Sequence, residues 1–192
     1  MMPDIVMKNI SKSFGEKRVL DHFDAVLHSG TVNCLLGASG AGKTTIARIL
    51  CGLETQDEGT VTGLEGLKLS AVFQEDRLCE SLSAVTNVSF VANISREQAA
   101  EALLEVGLRT SALQSAGTLS GGQKRRVALV RAVVSDFDLL ILDEPFKGLD
   151  DDTKNLVIDW VRDRIATKTV VLITHDEREA QRLGCSSVIR LS

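Results

Sequence analysis

Apolar residues follow two different periods along the chain, which predicts alternating strands and helices. Largely apolar runs at 32–36, 139–142 and 169–174 are typical of strands that are buried on both faces of a parallel sheet. Over 46–53 and 156–165 the apolar residues recur every three or four positions, which is the spacing of one buried helix face. The order of these segments predicts an α/β fold with a mainly parallel central sheet.

The beginning of the chain has the pattern of a smaller, antiparallel sheet. Weakly alternating runs at 5–10 and 19–27 flank a turn at 14–17. A second turn at 57–59 leads into a short strand at 60–62. We therefore expect a small antiparallel β subdomain beside the main sheet.

The middle of the chain, approximately 75–134, is predicted to form an α-helical insert subdomain. Residues 95–98 have the form of a capping box, and apolar residues then follow at helical spacing up to Val106. A longer helix is expected from Lys124 to about Val134. The apolar stripe of the insert is interpreted as core packing.

Length and composition favour one soluble domain spanning 1–192. The chain is 44% hydrophobic and 25% charged, with a net charge of -4, so no nucleic-acid partner is expected. The four cysteines lack a CxxC pair, which favours unpaired thiols in a reducing compartment over a metal site. The N-terminus has no secretory pattern, and we expect a cytoplasmic protein.

The strongest chemical signal is a glycine-rich loop between a predicted strand and a predicted helix. In such a loop the backbone N–H groups surround phosphate oxygens, a lysine contacts the β- and γ-phosphates, and the following hydroxyl holds Mg²⁺. Lys43 and Thr44 would fill the last two roles. The predicted phosphate-binding residues are Gly37, Ala38, Ser39, Gly40, Ala41, Gly42, Lys43, Thr44 and Thr45.

Two carboxylates, Asp143 and Glu144, follow the apolar run at 139–142. The carboxyl end of a central strand is where an open α/β sheet binds its ligand. Asp143 is therefore a candidate to hold the metal, and Glu144 a candidate to orient or deprotonate an attacking water.

Three further residues have plausible roles that local sequence alone leaves open. Phe14 could stack on an adenine base or merely cover the hairpin. Gln74, at a strand end, could coordinate Mg²⁺ or orient a water, or lie in solvent. His175, which follows the strand at 169–174, could contact a γ-phosphate or be structural.

A second anion-binding helix start is predicted at 119–123. Ser120 would cap the helix and Gly121 and Gly122 would expose its first N–H groups. A single nucleotide would need only one of the two predicted anion-binding helix N-termini. The basic cluster 124–126 that follows is interpreted as a solvated helix face rather than a nucleic-acid site.

These motifs together resemble the ATP-binding-cassette (ABC) transporter ATPases over essentially the whole chain. The decisive match is Leu119–Gln123, which is similar to the signature motif of that family. By the same resemblance, Gln74 corresponds to the Q-loop glutamine, Phe14 to the adenine-stacking aromatic, Asp150 to the D-loop aspartate and His175 to the switch histidine. Residues 176–180 resemble the cassettes of bacterial importers.

The resemblance implies a head-to-tail dimer, with itself or with a second cassette, in which one subunit's signature covers the ATP held by the other. Ser120, Gly121, Gly122, Gln123 and Asp150 would then bind nucleotide across the boundary. The sequence departs from the family at Lys147, where serine is usual in the D-loop.

The implied activity is hydrolysis of ATP, with Mg²⁺ as cofactor, to power transport by a membrane permease. The permease is expected to dock near 75–90 at the inner face of the membrane, and an extracytoplasmic solute-binding protein is a possible further partner. The segment 72–78 faintly resembles cassettes for small oxyanions such as nitrate, sulfonate or taurine. The alternatives are an ABC-type ATPase of a DNA-maintenance or translation complex, and a P-loop kinase, which would leave 119–123 unused.

Overall fold

The computed structural model describes residues 3–191, so the outermost residues of the domain predicted over 1–192 lie outside the described part. In chain order, the elements are β1 (Ile5–Phe14), β2 (Lys17–Leu27), β3 (Val32–Gly37), α1 (Lys43–Leu50), β4 (Glu58–Thr62), β5 (Leu69–Val72), α2 (Ala84–Ala92), α3 (Arg96–Glu105), a 3₁₀ turn (Ala116–Thr118), α4 (Gly121–Val133), β6 (Leu139–Asp143), α5 (Asp151–Arg164), β7 (Thr169–Thr174), α6 (Glu177–Leu183) and β8 (Ser187–Leu191).

The central sheet has five strands in the order β5-β6-β7-β3-β8, and its ladders are parallel. Every residue of β6 and β7 is buried, because helices and the second sheet cover both faces. Successive residues of β7 alternate between two cores: Val170 and Leu172 enter one, and Val171 and Ile173 the other. The predicted α/β architecture with a parallel central sheet is confirmed.

The second sheet is antiparallel in the order β2-β1-β4, as predicted. It packs over α1 through residues such as Ile5, Met7 and Leu27, which share a core with Ile46 and Leu50. The strands are longer than the sequence pattern indicated, since β2 begins at Lys17 and β4 begins within the expected turn. The antiparallel sheet is thereby placed directly beside the glycine-rich loop.

The insert contains α2, α3 and α4, but the segment 75–83 is not helical, contrary to our prediction. The buried Asn87 explains the difference, because its side chain accepts from the N–H of Cys79 at 2.8 Å and donates to the carbonyls of Cys79, Leu82 and Ser83. These bonds stabilise a turn that competes with helix formation. The helix expected from Lys124 starts three residues earlier, at Gly121.

Trp160 of α5 joins the insert to the main sheet. Its Nε1 donates to Glu105 Oε2 of α3 at 2.8 Å, and the Arg164 guanidinium lies 4.3 Å from the centre of the indole ring. Arg164 also donates to the same Glu105 oxygen at 2.6 Å. One carboxylate oxygen thus receives two donors from α5, which fixes the contact between α3 and α5.

The sulfur atoms of Cys34 of β3 and Cys185 are in contact, and the Cα atoms lie 6.0 Å apart, a separation that a disulfide can span. The expectation of unpaired thiols is correct for Cys51 and Cys79 and stays a prediction for this pair. The contact follows from topology, since β8 lies next to β3 and brings position 185 beside Cys34. Among the described residues, no helix is both long and apolar enough to cross a membrane.

Candidate functional site

The glycine-rich loop connects β3 to α1 and leaves the start of α1 uncapped by any side chain. The N-cap is Gly42, in the left-handed region at φ 90°. A Cβ at Gly42 would lie 2.7 Å from Leu20 Cδ2 and 3.0 Å from the Val19 carbonyl oxygen, so β2 leaves room only for glycine. The first N–H groups of α1 are consequently available to an anion.

Lys43 places a positive charge inside this loop. Its Nζ donates to the carbonyl oxygens of Gly37 and Ala38, at 2.7 Å in each case, and the residue is buried. The side chain therefore folds back over the loop that precedes it. An ammonium group in this position faces the space enclosed by the loop N–H groups, where phosphate oxygens would lie.

Thr44 and Asp143, 99 residues apart in sequence, meet at the end of β6. Thr44 Oγ1 donates to Asp143 Oδ2 at 2.7 Å. Asp143 is fully buried, and its Oδ1 has no hydrogen-bond partner within residues 3–191. Burial raises the pKa of Asp143 above its usual range, opposed by the hydrogen bond from Thr44. A buried, unpartnered carboxylate oxygen beside a hydroxyl is a suitable donor set for a hard cation.

Glu144 and His175 contact each other at the mouth of the same region. His175 Nδ1 lies 2.8 Å from Glu144 Oε1 and 3.0 Å from Oε2. The Glu144 backbone has φ 49°, a conformation that is unfavourable for a side-chain-bearing residue, and its N–H donates to Ile173 O at 2.8 Å. Strained backbone of this kind concentrates at functional sites, where neighbouring structure holds it in place.

A cleft of about 620 Å³, within the usual range for small-molecule sites, collects these groups. Its lining comprises Phe14, Lys17, Val19, Ser39, Gly40, Gly42, Lys43, Thr44, Thr45, Gln74, Asp143, Glu144, Lys147 and His175. The loop residues Gly37, Ala38 and Ala41 support the cleft without lining it. Lys17 and Val19 had no signal in the sequence, because they reach the cleft only through the packing of β2 against the glycine-rich loop.

Phe14 lies at the edge of the cleft and is 48% exposed, with Lys12 Nζ 5.3 Å from its ring centre. Half of the ring is thus available to another flat group. Lys147, noted as a departure from the family pattern, is exposed on the Glu144 side of the cleft.

The signature residues Ser120, Gly121, Gly122 and Gln123 lie outside the cleft lining, as does Asp150. Ser120 Oγ accepts from the Gln123 N–H at 3.3 Å, and Gln123 Oε1 accepts from the Ser120 N–H at 2.8 Å. This capping box pairs the N–H groups of Ser120 and Gln123 within the chain. A Cβ at Gly121 would have no described heavy atom within 4 Å, so the backbone there is open to approach.

Asp150 caps α5, and its side chain accepts from the N–H of Thr153 at 3.0 Å. This hydrogen bond makes the largest of several contributions that lower the pKa of Asp150. The D-loop also contacts the signature helix, since a Cβ at Gly122 would lie 3.4 Å from Leu149 Cδ2. The D-loop and the signature therefore share one surface of the chain.

The basic cluster 124–126 is not a solvated face, contrary to our interpretation. Arg125 is buried and donates to the carbonyls of Phe73 and Gln74, the first at 2.6 Å. Arg126 donates to Val106 O at 2.9 Å. These arginines hold the Gln74 loop and the insert against α4. Three consecutive charges in the sequence therefore did not indicate a solvated face, because two of them bind backbone carbonyls within the chain.

Fold and cleft together define a P-loop nucleoside-triphosphatase: a glycine-rich loop, a lysine and a strand-end acidic pair converge on one cavity at the carboxyl edge of a parallel sheet. The sequence profile of a family described as ABC transporter matches residues 20–147. The chain belongs to this family. It is accordingly an ATP-binding ATPase.

Similar proteins agree with this assignment over nearly the full chain. The aliphatic sulfonates import ATP-binding protein SsuB 3 of Rhodococcus jostii (strain RHA1) is 43% identical, with 94% of this chain and 68% of the relative covered. The sulfate/thiosulfate import ATP-binding protein CysA of Mesostigma viride is 34% identical, with 96% and 58% covered. The dimeric structure of MJ0796, a bacterial ABC transporter cassette, superposes with a TM-score of 0.87 at 27% identity and covers 97% of this chain and 94% of that one.

Proposed function

We propose that the cleft binds ATP with Mg²⁺ and that several of its lining residues have distinct roles. The N–H groups at the start of α1 and the Lys43 ammonium bind the β- and γ-phosphates, and Phe14 stacks on the adenine. The observation that carries the proposal is the convergence of this loop, Asp143, Glu144 and His175 on one cavity.

Thr44, Asp143 and Gln74 are the residues that would hold Mg²⁺. The unpartnered Asp143 Oδ1 and the adjacent Thr44 hydroxyl fit an oxygen-seeking cation. When bound, the ion supplies neutralising charge at the phosphate oxygens.

Glu144 accepts the proton of the water that attacks the γ-phosphorus, while the bond to the ADP oxygen breaks. His175, held at 2.8 Å from Glu144, orients that carboxylate and faces the γ-phosphate. The products are ADP, inorganic phosphate and the proton taken from water.

The complete site requires two chains. The signature residues lie outside the cleft of their own chain, and the solved structures with this fold include a dimeric cassette and a dimeric post-hydrolysis state bound to ADP and Pi. We propose a head-to-tail dimer, with a second copy or a related cassette, in which Ser120, Gly121 and Gly122 meet the γ-phosphate held by the partner.

The ATPase powers uptake of a small oxyanion, such as a sulfonate or sulfate, through a membrane permease at the inner face of the membrane. Support comes from the relatives named as sulfonate and sulfate/thiosulfate import subunits. These relatives also favour transport over DNA maintenance or translation. An extracytoplasmic solute-binding protein would complete such an import system.

We place permease docking at 75–90, where large apolar side chains are exposed. Phe90 is 82% exposed and Leu82 is 37% exposed, and Val91, 58% exposed, extends the surface. Apolar groups presented together to solvent are typical of interaction sites.

Co-sedimentation with membranes tests the transport proposal. The chain should sediment when its permease is co-expressed and stay in the supernatant without it. Phe90→Asp should abolish sedimentation while basal ATP hydrolysis is retained. Leu113→Asp is the matched control, because Leu113 is 77% exposed but lies outside 75–90. Sedimentation of Phe90→Asp at the wild-type level would contradict the docking surface.

A further inference from the structure

The backbone on both sides of His175 is tied to one buried carboxylate, Glu179 of α6. Thr174 Oγ1 donates to Glu179 Oε2 at 2.7 Å and accepts from the N–H of Asp176 at 3.1 Å. Thr174 is fully buried and Glu179 is 6% exposed. A single hydroxyl therefore bridges the residue before His175, the residue after it and the helix that follows.

The charge of Glu179 is balanced by a residue of a different element. Lys154 Nζ of α5 lies 3.2 Å from Glu179 Oε1 and 4.0 Å from Asp176 Oδ2. A buried carboxylate is costly unless it is paired and hydrogen-bonded, and both conditions are met here. Lys154 belongs to the first turn of the helix capped by Asp150, so the network extends from the D-loop helix to the histidine.

Stability alone does not account for this arrangement. Glu179 is buried and Lys154 is partly exposed. An ion pair with a buried member can commonly be replaced by apolar residues at little cost, so the presence of this pair is better explained by the geometry it imposes. Glu179 does not line the nucleotide cleft, and the proposed chemistry leaves it without a role. Glu179 constrains the short link between β7 and α6, and His175 is the only residue of that link that lines the cleft.

We propose that Glu179 is a positioning residue that, with Thr174 and Lys154, fixes the backbone at His175 and so keeps Nδ1 within reach of both Glu144 oxygens. The inference rests on the role proposed above for His175. Glu179 acts through the histidine and does not itself line the cleft.

Kinetics in two backgrounds test this chain of action. Glu179→Ala should lower kcat by roughly 10- to 100-fold and leave the KM for ATP within about 2-fold. In a His175→Ala background, assayed by single turnover, the same substitution should cause no further loss, because residues in one chain of contacts are not additive. An equal loss in both backgrounds, or no loss in the first, would overturn the proposal.

Two variants separate positioning from folding. Thr174→Val keeps a β-branched side chain in the strand and removes only the hydroxyl, and it should reproduce the kcat loss of Glu179→Ala. Glu177→Ala is the control on the same helix, since Glu177 is exposed and pairs with Arg190 at 2.9 Å. It should retain wild-type kcat.

The imidazole NMR spectrum gives a readout that does not depend on catalysis. The chain has three histidines, so His22 and His28 serve as internal references. Thr174→Val and Glu179→Ala should shift the His175 ring resonances and leave the other two in place. Unmoved His175 resonances would overturn the positioning role, whereas full turnover by His175→Ala would instead remove the catalytic role proposed for the histidine.

Discussion

The two helices that begin with glycine-rich segments, α1 and α4, have opposite states at their first turns. At α1 the N-cap is Gly42, no side chain caps the helix, and Lys43 adds positive charge. At α4 the capping box satisfies the N–H groups of Ser120 and Gln123, and the N–H groups of Gly121 and Gly122 lie outside it. An anion can therefore bind at α1 of a single chain, whereas at α4 an incoming phosphate has the Gly121 and Gly122 N–H groups available but competes with Gln123 for the Ser120 hydroxyl.

This contrast explains how one chain can bind nucleotide and still depend on a second chain for ATP hydrolysis. The uncapped N-terminus of α1 provides affinity for nucleotide within its own cleft. The N-terminus of α4, which carries the capping box, remains stable when exposed, and this suits a surface that contacts nucleotide only in a dimer. The following predictions test this division, in decreasing order of expected effect.

Glu144→Gln should lower turnover by roughly 10²- to 10⁴-fold, because an amide of the same shape cannot accept a proton from water. ATP should still bind at the N-terminus of α1, and the ATP-bound dimer should persist. Phosphate release and size-exclusion chromatography with ATP would measure both effects. Normal turnover would place the general base elsewhere, with His175 the next candidate.

Lys43→Ala should weaken ATP binding by about 2–4 kcal/mol, or roughly 30- to 1,000-fold in affinity, since the β- and γ-phosphates lose their nearby cation. A fluorescent-nucleotide titration would measure the change. Lys17→Ala, also in the cleft lining but outside the glycine-rich loop, is the comparison variant and should have a smaller effect. Unchanged affinity in Lys43→Ala would refute the phosphate assignment.

A mixture of Ser120→Arg and Lys43→Ala chains should regain activity that each variant lacks alone. Half of randomly paired dimers are mixed, and each has one site with an intact loop and signature, so about a quarter of wild-type sites are restored. ATP hydrolysis at a fixed total protein concentration would detect this. Full activity in a species shown to be monomeric would rule out the shared site.

Ser120→Ala should destabilise the chain by about 1 kcal/mol through loss of a helix cap, as should Ser95→Ala in α3. Both serines belong to capping boxes of the same form, so urea unfolding should not distinguish them. Only Ser120→Ala should also reduce hydrolysis, by roughly 10-fold, because only that hydroxyl faces a partner's phosphate. Equal activity in the two variants would make Ser120 a purely structural cap.

Motifs whose function depends on local backbone could be predicted from the sequence. The glycine-rich loop places Lys43 and Thr44 through its own turn, and the apolar run before Asp143 indicates a buried strand end. Parallel strand order then brings these residues together, so the fold class and most of the cleft residues followed from pattern and resemblance, with Lys17 and Val19 as exceptions.

Features that depend on distant segments could not be predicted. Asn87 determines the turn at 75–83 through four bonds to the backbones of three residues, and Arg125 is buried because the Gln74 loop lies against α4. Helix α6 has only seven residues, too few to show a period. For Asn87 and Arg125 the deciding partner is a backbone group, which carries no sequence signal.

The contact between Trp160 and Glu105 has an optical consequence. The chain contains one tryptophan and no tyrosine, so its near-ultraviolet emission arises from a single indole ring. That ring lies where the insert meets the main sheet, with a carboxylate at its Nε1 and a guanidinium over its face. Any rotation of the insert that separates α3 from α5 removes the Glu105 carboxylate from the indole and from Arg164. The unlabelled protein therefore carries its own reporter of subdomain motion.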